Sequence, residues 1–338
     1  VGASYPLRRL SPPSPEVLVV ERDLAGVRLH DLLSRSRPDV HRGEIRQLIS
    51  CGGVSVNGEV CLHDRKLHVG DVVLLAEKLV RSAPAGRTTN SAAASAPRVL
   101  VETDSAIVVN KPALLPSAAG SSSATTALAE MQKARPDEDL RVVRRLDRQA
   151  SGCLVLAKGL DASRHLEQEH REGRLQEGYV ALVTGVPAQD EQDIVAFLGP
   201  DRRRPGMVQA SAKERSGFRE ARTTVVVRAR FARHALLELR PATSRGHQLR
   251  VHLASVGHSI VCDQEYGGER LLLSRLKPDY KMRPGVTERP LLQRMFLHAE
   301  RVAFVDADGD NVVAEAPMPE DLSVALRHVE KHTSTRRT

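Results

Sequence analysis

One aspartate and three arginines stand close enough between positions 144 and 148 to do chemistry together: Asp147, with Arg144, Arg145 and Arg148 around it. Guanidinium groups this near lower a carboxyl's pKa and keep it ionised. An ionised carboxylate at the edge of a core strand is what nucleophilic catalysis by aspartate requires. Such a strand follows at once, because Cys153-Leu154-Val155-Leu156-Ala157 is a short unbroken apolar run suited to burial on both faces. Gln149, Ala150, Ser151 and Gly152 make the tight loop that leads into it. On this segment alone, a surface aspartate in a loop salt bridge explains the residues equally well.

The rest of the chain must position that segment. At 338 residues, 41% hydrophobic and 27% charged, the sequence fits two globular domains with a sizeable core. Its longest apolar runs, such as Val72 to Ala76, are far too short to span a bilayer, and no signal peptide is visible. The first residue is valine, which leaves an organellar presequence open beside the expected cytoplasmic location. Cys51, Cys61, Cys153 and Cys262 form no C-x-x-C pair, so reduced thiols are expected rather than disulfides or zinc. The net charge of +8 favours an anionic partner. That excess is local: residues 1–80 carry 11 basic against 10 acidic side chains, and residues 201–250 carry 13 against 4.

Taken in order, residues 1–15 are a Pro- and Ser-rich lead-in to a small domain ending near residue 80. Val27, Leu29, Leu32 and Leu33 mark one short helix, and Ile45, Leu48 and Ile49 a second. Val54 to Val60 reads as a hairpin turning at Asn57-Gly58. Residues 81–97 are small, polar and aperiodic, a flexible linker. A larger domain then runs over 98–330, and 331–338 is a loose basic tail. Within it, Ile107 to Asn110, Tyr179 to Gly185, Val225 to Arg230 and Ala235 to Leu239 are predicted strands. Leu160 to Arg171 is a predicted helix, and residues 186–221 show little regular pattern.

Several of these segments resemble one family. Arg144-Arg145-Leu146-Asp147-Arg148-Gln149-Ala150-Ser151-Gly152-Cys153-Leu154 is similar to the signature H-R-L-D-x-x-T-S-G-x-L around the catalytic aspartate of the RluA-type pseudouridine synthases. Val108-Val109-Asn110-Lys111-Pro112 resembles the family's V-V-N-K-P-x-G turn, with Leu114 where glycine is usual. Glu177 to Gly185 resembles K-x-Y-x-A-x-V-x-G, with Glu177 for lysine. Thr243 to His252 resembles T-G-R-T-H-Q-I-R-V-H, with Ser244 and Gly246 as departures. Gly257 to Gly267 echoes G-x-P-I-x-G-D-x-x-Y-G, with Ser259 and Cys262 departing, and Leu297-His298-Ala299 matches L-H-A. The small domain resembles the S4 RNA-binding module throughout.

The resemblance implies an α+β fold: a mixed, largely antiparallel curved sheet with flanking helices, preceded by a small α+β S4-like domain. It implies an RNA pseudouridine synthase with Asp147 as nucleophile, Arg245 paired with it, and Tyr179 stacked on the target base. Leu297, Arg145 and Lys111 are the implied substrate-binding residues, with Leu297 wedged against the uracil and Lys111 ordering its loop. Arg35, Arg42 and Arg46 are placed to meet phosphates of a structured RNA, ribosomal RNA being favoured. The chemistry is an isomerisation without redox or hydrolysis, so neither cofactor nor metal is implied, and His247 and His252 read as structural. A monomer without protein partners is expected. The alternative is a catalytically silent RNA-binding relative acting in ribosome assembly, favoured by departures at Leu114, Arg144, Ala150, Glu177, Ser244, Gly246 and Cys262. Intact Asp147, Tyr179 and Arg245 argue for activity.

Overall fold

The computed structural model describes residues 16–20, 24, 26–36, 45, 49, 54–61, 64–75, 96–119, 125–277, 279–281 and 288–333. The chain divides into two compact units, Val1–Ala92 and Ala93–Thr338.

In the first unit, strands β1 (Glu16–Val19), β2 (Val54–Val56), β3 (Glu59–Cys61) and β4 (Val72–Leu75) form a sheet in the order β1-β4-β2-β3. Helix α1 (Leu29–Ser36) buries Leu29, Leu32 and Leu33 against that sheet's core, together with the helical Ile45 and Ile49. The β2–β3 hairpin turns at Asn57 and Gly58, whose φ values of 53° and 81° suit a primed two-residue turn. Asn57 also ties the turn to β4, donating to Asp71 Oδ1 at 2.8 Å and accepting from Val72 N–H at 2.9 Å. Arg35 is exposed in the last turn of α1. Arg42, Arg46 and the linker residues 81–95 lie outside the described residues.

The second unit is built on one sheet of eleven strands. Its main path runs β11 (Val208–Ser211), β10 (Glu191–Pro200), β12 (Arg219–Arg230), β13 (His234–Pro241), β9 (Gln176–Thr184), β14 (Leu297–Val305), β8 (Ser151–Lys158), β6 (Ala106–Lys111) and β5 (Arg98–Glu102). β7 (Leu140–Val142) joins β8, and β15 (Asn311–Glu315) joins β14. The pairing of β8 with β14 is parallel, and the other described strand pairs are antiparallel. Helices α2 (Ala127–Ala134), α3 (Gly159–Arg171), α4 (Gln248–Ser255) and α5 (Glu320–Thr333) flank the sheet.

Three sequence expectations need correction. Residues 186–221 contain β10, β11 and the start of β12; β10 buries Ile194, Ala196 and Leu198 on one face with Val195 and Phe197 between them, an apolar run of five too short for periodicity to mark. Residues 331–333 continue α5 rather than begin a tail, because the helix stays amphipathic through Val329. Ser151 and Gly152 belong to β8 itself. Cys61, Cys153 and Cys262 are free and buried.

Gly152 is what lets the centre of the sheet close. Its φ is 112°, and a Cβ there would lie 2.1 Å from Ala299 O. Ser151 and Gly152 pair with His298 and Ala299 of β14, and Ala299 in turn faces Tyr179 of β9. Any side chain at 152 would push β8 off β14 and carry the Asp147 loop away from Tyr179 and Leu297.

Candidate active site

Asp147 sits in the loop between β7 and β8, and that loop is tied down on both sides. Ser117 Oγ donates to Leu146 O and accepts from Leu146 N–H, both at 2.9 Å. Gln149 Oε1 accepts from Met295 N–H at 3.0 Å, and Arg294, paired with Asp321, donates to Gln149 O at 3.2 Å. Asp147 O accepts from Ala150 N–H at 3.0 Å, closing a tight turn. The carboxylate is left about a quarter exposed, at 24%, and opens on a cavity of about 420 Å³.

That cavity is lined by Asp147, Arg145, Tyr179, Arg245 and Leu297, so five of the residues singled out from sequence come together in one place. Their chain positions are supplied by the β7–β8 loop, β9, the β13–α4 turn and the start of β14. Tyr179 and Leu297 present apolar surface, and Arg144, Arg145, Arg148 and Arg245 make the rim cationic. A flat anionic substrate with an apolar face fits such a lining.

Lys111 does not line it. The side chain is fully buried, and its ammonium donates to Pro112 O, Leu115 O and Ala150 O at 2.9, 2.8 and 2.6 Å. Burial pulls its pKa down to about 7, Arg294 adds to that, and Asp147 opposes it. Three carbonyl acceptors match the three protons of the charged form. Lys111 therefore orders the loop ahead of β8, and substrate contact by it is ruled out by burial.

The partner of Asp147 also differs from expectation. Arg245 donates from Nε to Glu220 O at 3.2 Å and from Nη1 to Ser244 O at 3.2 Å. The guanidinium beside the carboxylate belongs to Arg250, whose Nη1 lies 3.9 Å from Asp147 Oδ2. The reason is geometric. Arg245 lies in the turn before α4, held by Gln248 Oε1, which accepts from Arg245 N–H at 3.1 Å. Arg250 is in the first turn of α4, where a side chain leans back towards the helix N-terminus and so towards the cavity. A long cation between Leu249 and Val251 was the available signal, since an arginine within an apolar stretch is buried only when paired.

Arg250 is 4% exposed and fully engaged. Nε and Nη2 make a two-pronged contact with Asp263 at 2.7 Å each, Nη2 also reaches Glu265, and the guanidinium lies 4.7 Å from the Tyr266 ring centre. Burial opposes its charge, but Asp263, Asp147 and Glu265 outweigh burial and raise its pKa above the usual arginine value.

His247 likewise turns out to line the cavity, against the structural role expected for it. It sits at φ 53° immediately before α4, with Nε2 3.9 Å from Asp147 Oδ1 and Nδ1 2.7 Å from the Tyr266 hydroxyl. That hydroxyl also accepts from Val208 N–H at 3.0 Å. His252 is structural as expected: fully buried, 2.9 Å from Thr223 Oγ1, with its pKa pushed down to about 4 by burial. No group of three or more metal-ligating side chains is found among the described residues. No described helix is long and apolar enough to cross a membrane.

Comparison with known proteins identifies the family. The sequence pattern of RNA pseudouridylate synthase matches residues 105–255, and that of the S4 domain matches residues 27–73. The chain is 30% identical to the ribosomal large subunit pseudouridine synthase C of Vibrio vulnificus, over 92% of this chain and 96% of that protein. It is also 30% identical to the protein of the same name from Escherichia coli K12, over 93% and 97%. Among solved structures, human RNA pseudouridylate synthase domain containing 4 superposes with a TM-score of 0.53 at 20% identity, covering 69% of this chain and 92% of that one. Human RNA pseudouridylate synthase domain containing 1 gives 0.51 at 23%, covering 68% and 87%.

Proposed function

The chain belongs to the RNA pseudouridylate synthase family, and from that premise we propose that it isomerises specific uridines of ribosomal RNA through the carboxylate of Asp147. It is an RNA pseudouridine synthase with an S4 domain. Its relatives' names specify the large ribosomal subunit, which supports the same RNA class here.

The observation that carries the reading is one carboxylate, partly exposed, at the floor of a cavity with a buried guanidinium behind it and an aromatic ring and a leucine beside it. Isomerisation breaks the N1–C1′ bond and forms C5–C1′; the proton lost from C5 is matched by one gained at N1, and nothing else is consumed. The target base must first leave its stack, at a cost of about a few kcal/mol. Arg145, Arg148 and Arg245 on the cavity rim offset that cost through phosphate contacts. Tyr179 and Leu297 then hold the uracil between them while Asp147 reacts. Arg250 and His247 aim the carboxylate, one from each oxygen. Arg245 and Arg145 bind the RNA, and Arg35, Arg42 and Arg46 of the first unit add affinity for folded RNA without choosing sequence.

The test is to incubate purified large-subunit ribosomal RNA lacking the modification with the wild-type protein and with Asp147→Ala, and to map carbodiimide-stable pseudouridine adducts. The wild type is expected to add a mark that Asp147→Ala does not, while both bind the RNA equally. A wild type that binds but marks nothing would establish the silent assembly factor instead.

A further inference from the structure

Two of the departures from the family pattern, Arg144 and Glu177, lie in different segments of the chain but meet in space. Arg144 Nη1 is 2.7 Å from Glu177 Oε2, and the two side chains are 13% and 8% exposed. Arg144 is steadied by a third group, the His170 ring of α3, whose Nδ1 lies 3.0 Å from the same Nη1. His170 is held neutral, its pKa pushed down to about 4 by burial and then by Arg144 and Arg245, so it accepts that hydrogen bond. Glu177 precedes Tyr179 by two residues on the same face of β9, placed to accept a hydrogen bond from a phenol that keeps its proton. Arg144 lines the substrate cavity, whereas Glu177 lies behind the tyrosine.

We propose that Arg144 and Glu177 act as a matched pair that positions Tyr179, Glu177 gripping the phenol from behind while Arg144, braced by His170, neutralises the buried carboxylate. Glu177 is thus a positioning residue, acting through Tyr179; the inference rests on the reading that Tyr179 faces the substrate uracil. A chain losing function gains nothing by placing an arginine at 144 and a carboxylate at 177 in register. Each alone would be a buried uncompensated charge, which is strongly destabilising, and together they cancel. Two of the departures from the family pattern are therefore one compensated change.

A purely structural salt bridge would be replaceable by apolar residues of similar size, often without loss of stability. A positioning pair would not, because the phenol needs its acceptor. The double variant Arg144→Met/Glu177→Met separates the two, and it removes both charges so that neither is left unpaired. On purified large-subunit ribosomal RNA it is expected to melt near the wild-type temperature while kcat falls about 10- to 100-fold, the scale of a misplaced substrate-contacting group. KM is expected to stay within about threefold, since no phosphate contact is removed. Glu177→Gln in a Tyr179→Phe background should then change kcat by less than about twofold, because the hydroxyl it would release is already gone. Full activity in the double-methionine variant, or multiplicative effects of Glu177→Gln and Tyr179→Phe, would overturn the inference while leaving the activity established. A wild type that makes no pseudouridine would overturn both.

Discussion

Two arginines, Arg250 beside Asp147 and Arg144 beside Glu177, are held in different ways. Arg250 is clamped by both oxygens of Asp263 at 2.7 Å and stacked on Tyr266, with only one amino group left to face Asp147. Arg144 makes one close contact with Glu177 and leans on a neutral histidine. The first is a fixed charge on a helix, satisfied before substrate arrives. The second depends on a partner that also serves a tyrosine. A fixed charge thus faces Asp147, whereas the contact beside Tyr179 is shared between two partners.

The sharpest way to break this contrast is Arg250→Met. It leaves Asp263 buried and unpaired and Asp147 without its cation, so stability should fall by about 3–5 kcal/mol. The surviving folded protein should lose about a thousandfold in kcat. Denaturant unfolding and single-turnover assays read the two effects separately. Arg245→Met should behave differently although Arg245 lines the cavity, because its contacts are to Glu220 O and Ser244 O. We expect KM to rise about three- to tenfold with kcat nearly unchanged, and the salt dependence of RNA binding to weaken.

Acid should reach the Arg144 side through His170. His170 has a folded pKa of about 4 against 6.5 for the free side chain. Between those values the unfolded chain binds more protons, so stability falls as pH drops from about 6.5 towards 4. Discounted for a ring that is only half buried, His170 should account for about 1 kcal/mol of the loss between pH 7 and pH 5. His170→Gln should flatten that part of the stability–pH curve; an unchanged slope would show that the ring is not held neutral.

The smallest expected effect concerns the loop ahead of the site. Leu114 sits at φ 67° and is 57% exposed, a left-handed position with little packing to compensate. Leu114→Gly should stabilise by about 0.5 kcal/mol, the relief of αL strain being partly cancelled by glycine's greater freedom when unfolded. Thermal melts of the pair would resolve it. Cys262 adopts φ 65° where the family pattern also has glycine, but it is buried and donates from Sγ to Leu292 O, so strain and packing oppose each other there.

Much of this molecule was legible in order along the chain. Asp147, its lead-in loop and the apolar β8 announce themselves by type and spacing, because a doubly buried strand must be apolar throughout and a tight loop must be small. Asn57-Gly58 fixes a hairpin locally, since both residues need positive φ. β10 was not legible, because its apolar run Ile194 to Leu198 shows no polar alternation and gains its meaning only from β12 beside it.

The identity of the carboxylate was thus decided by sequence, and the identity of its partners by tertiary structure. A linear motif offers Arg245 and Arg250 as equals; only the start of α4 determines that Arg250 turns to Asp147 and Asp263 while Arg245, on the cavity wall, folds back on Glu220. Likewise nothing in the order of residues links Arg144 to Glu177 or His247 to Asp147. Local sequence sets backbone preference over a few residues, whereas charge pairing depends on distances across strands and helices that exist only once the sheet has closed at Gly152.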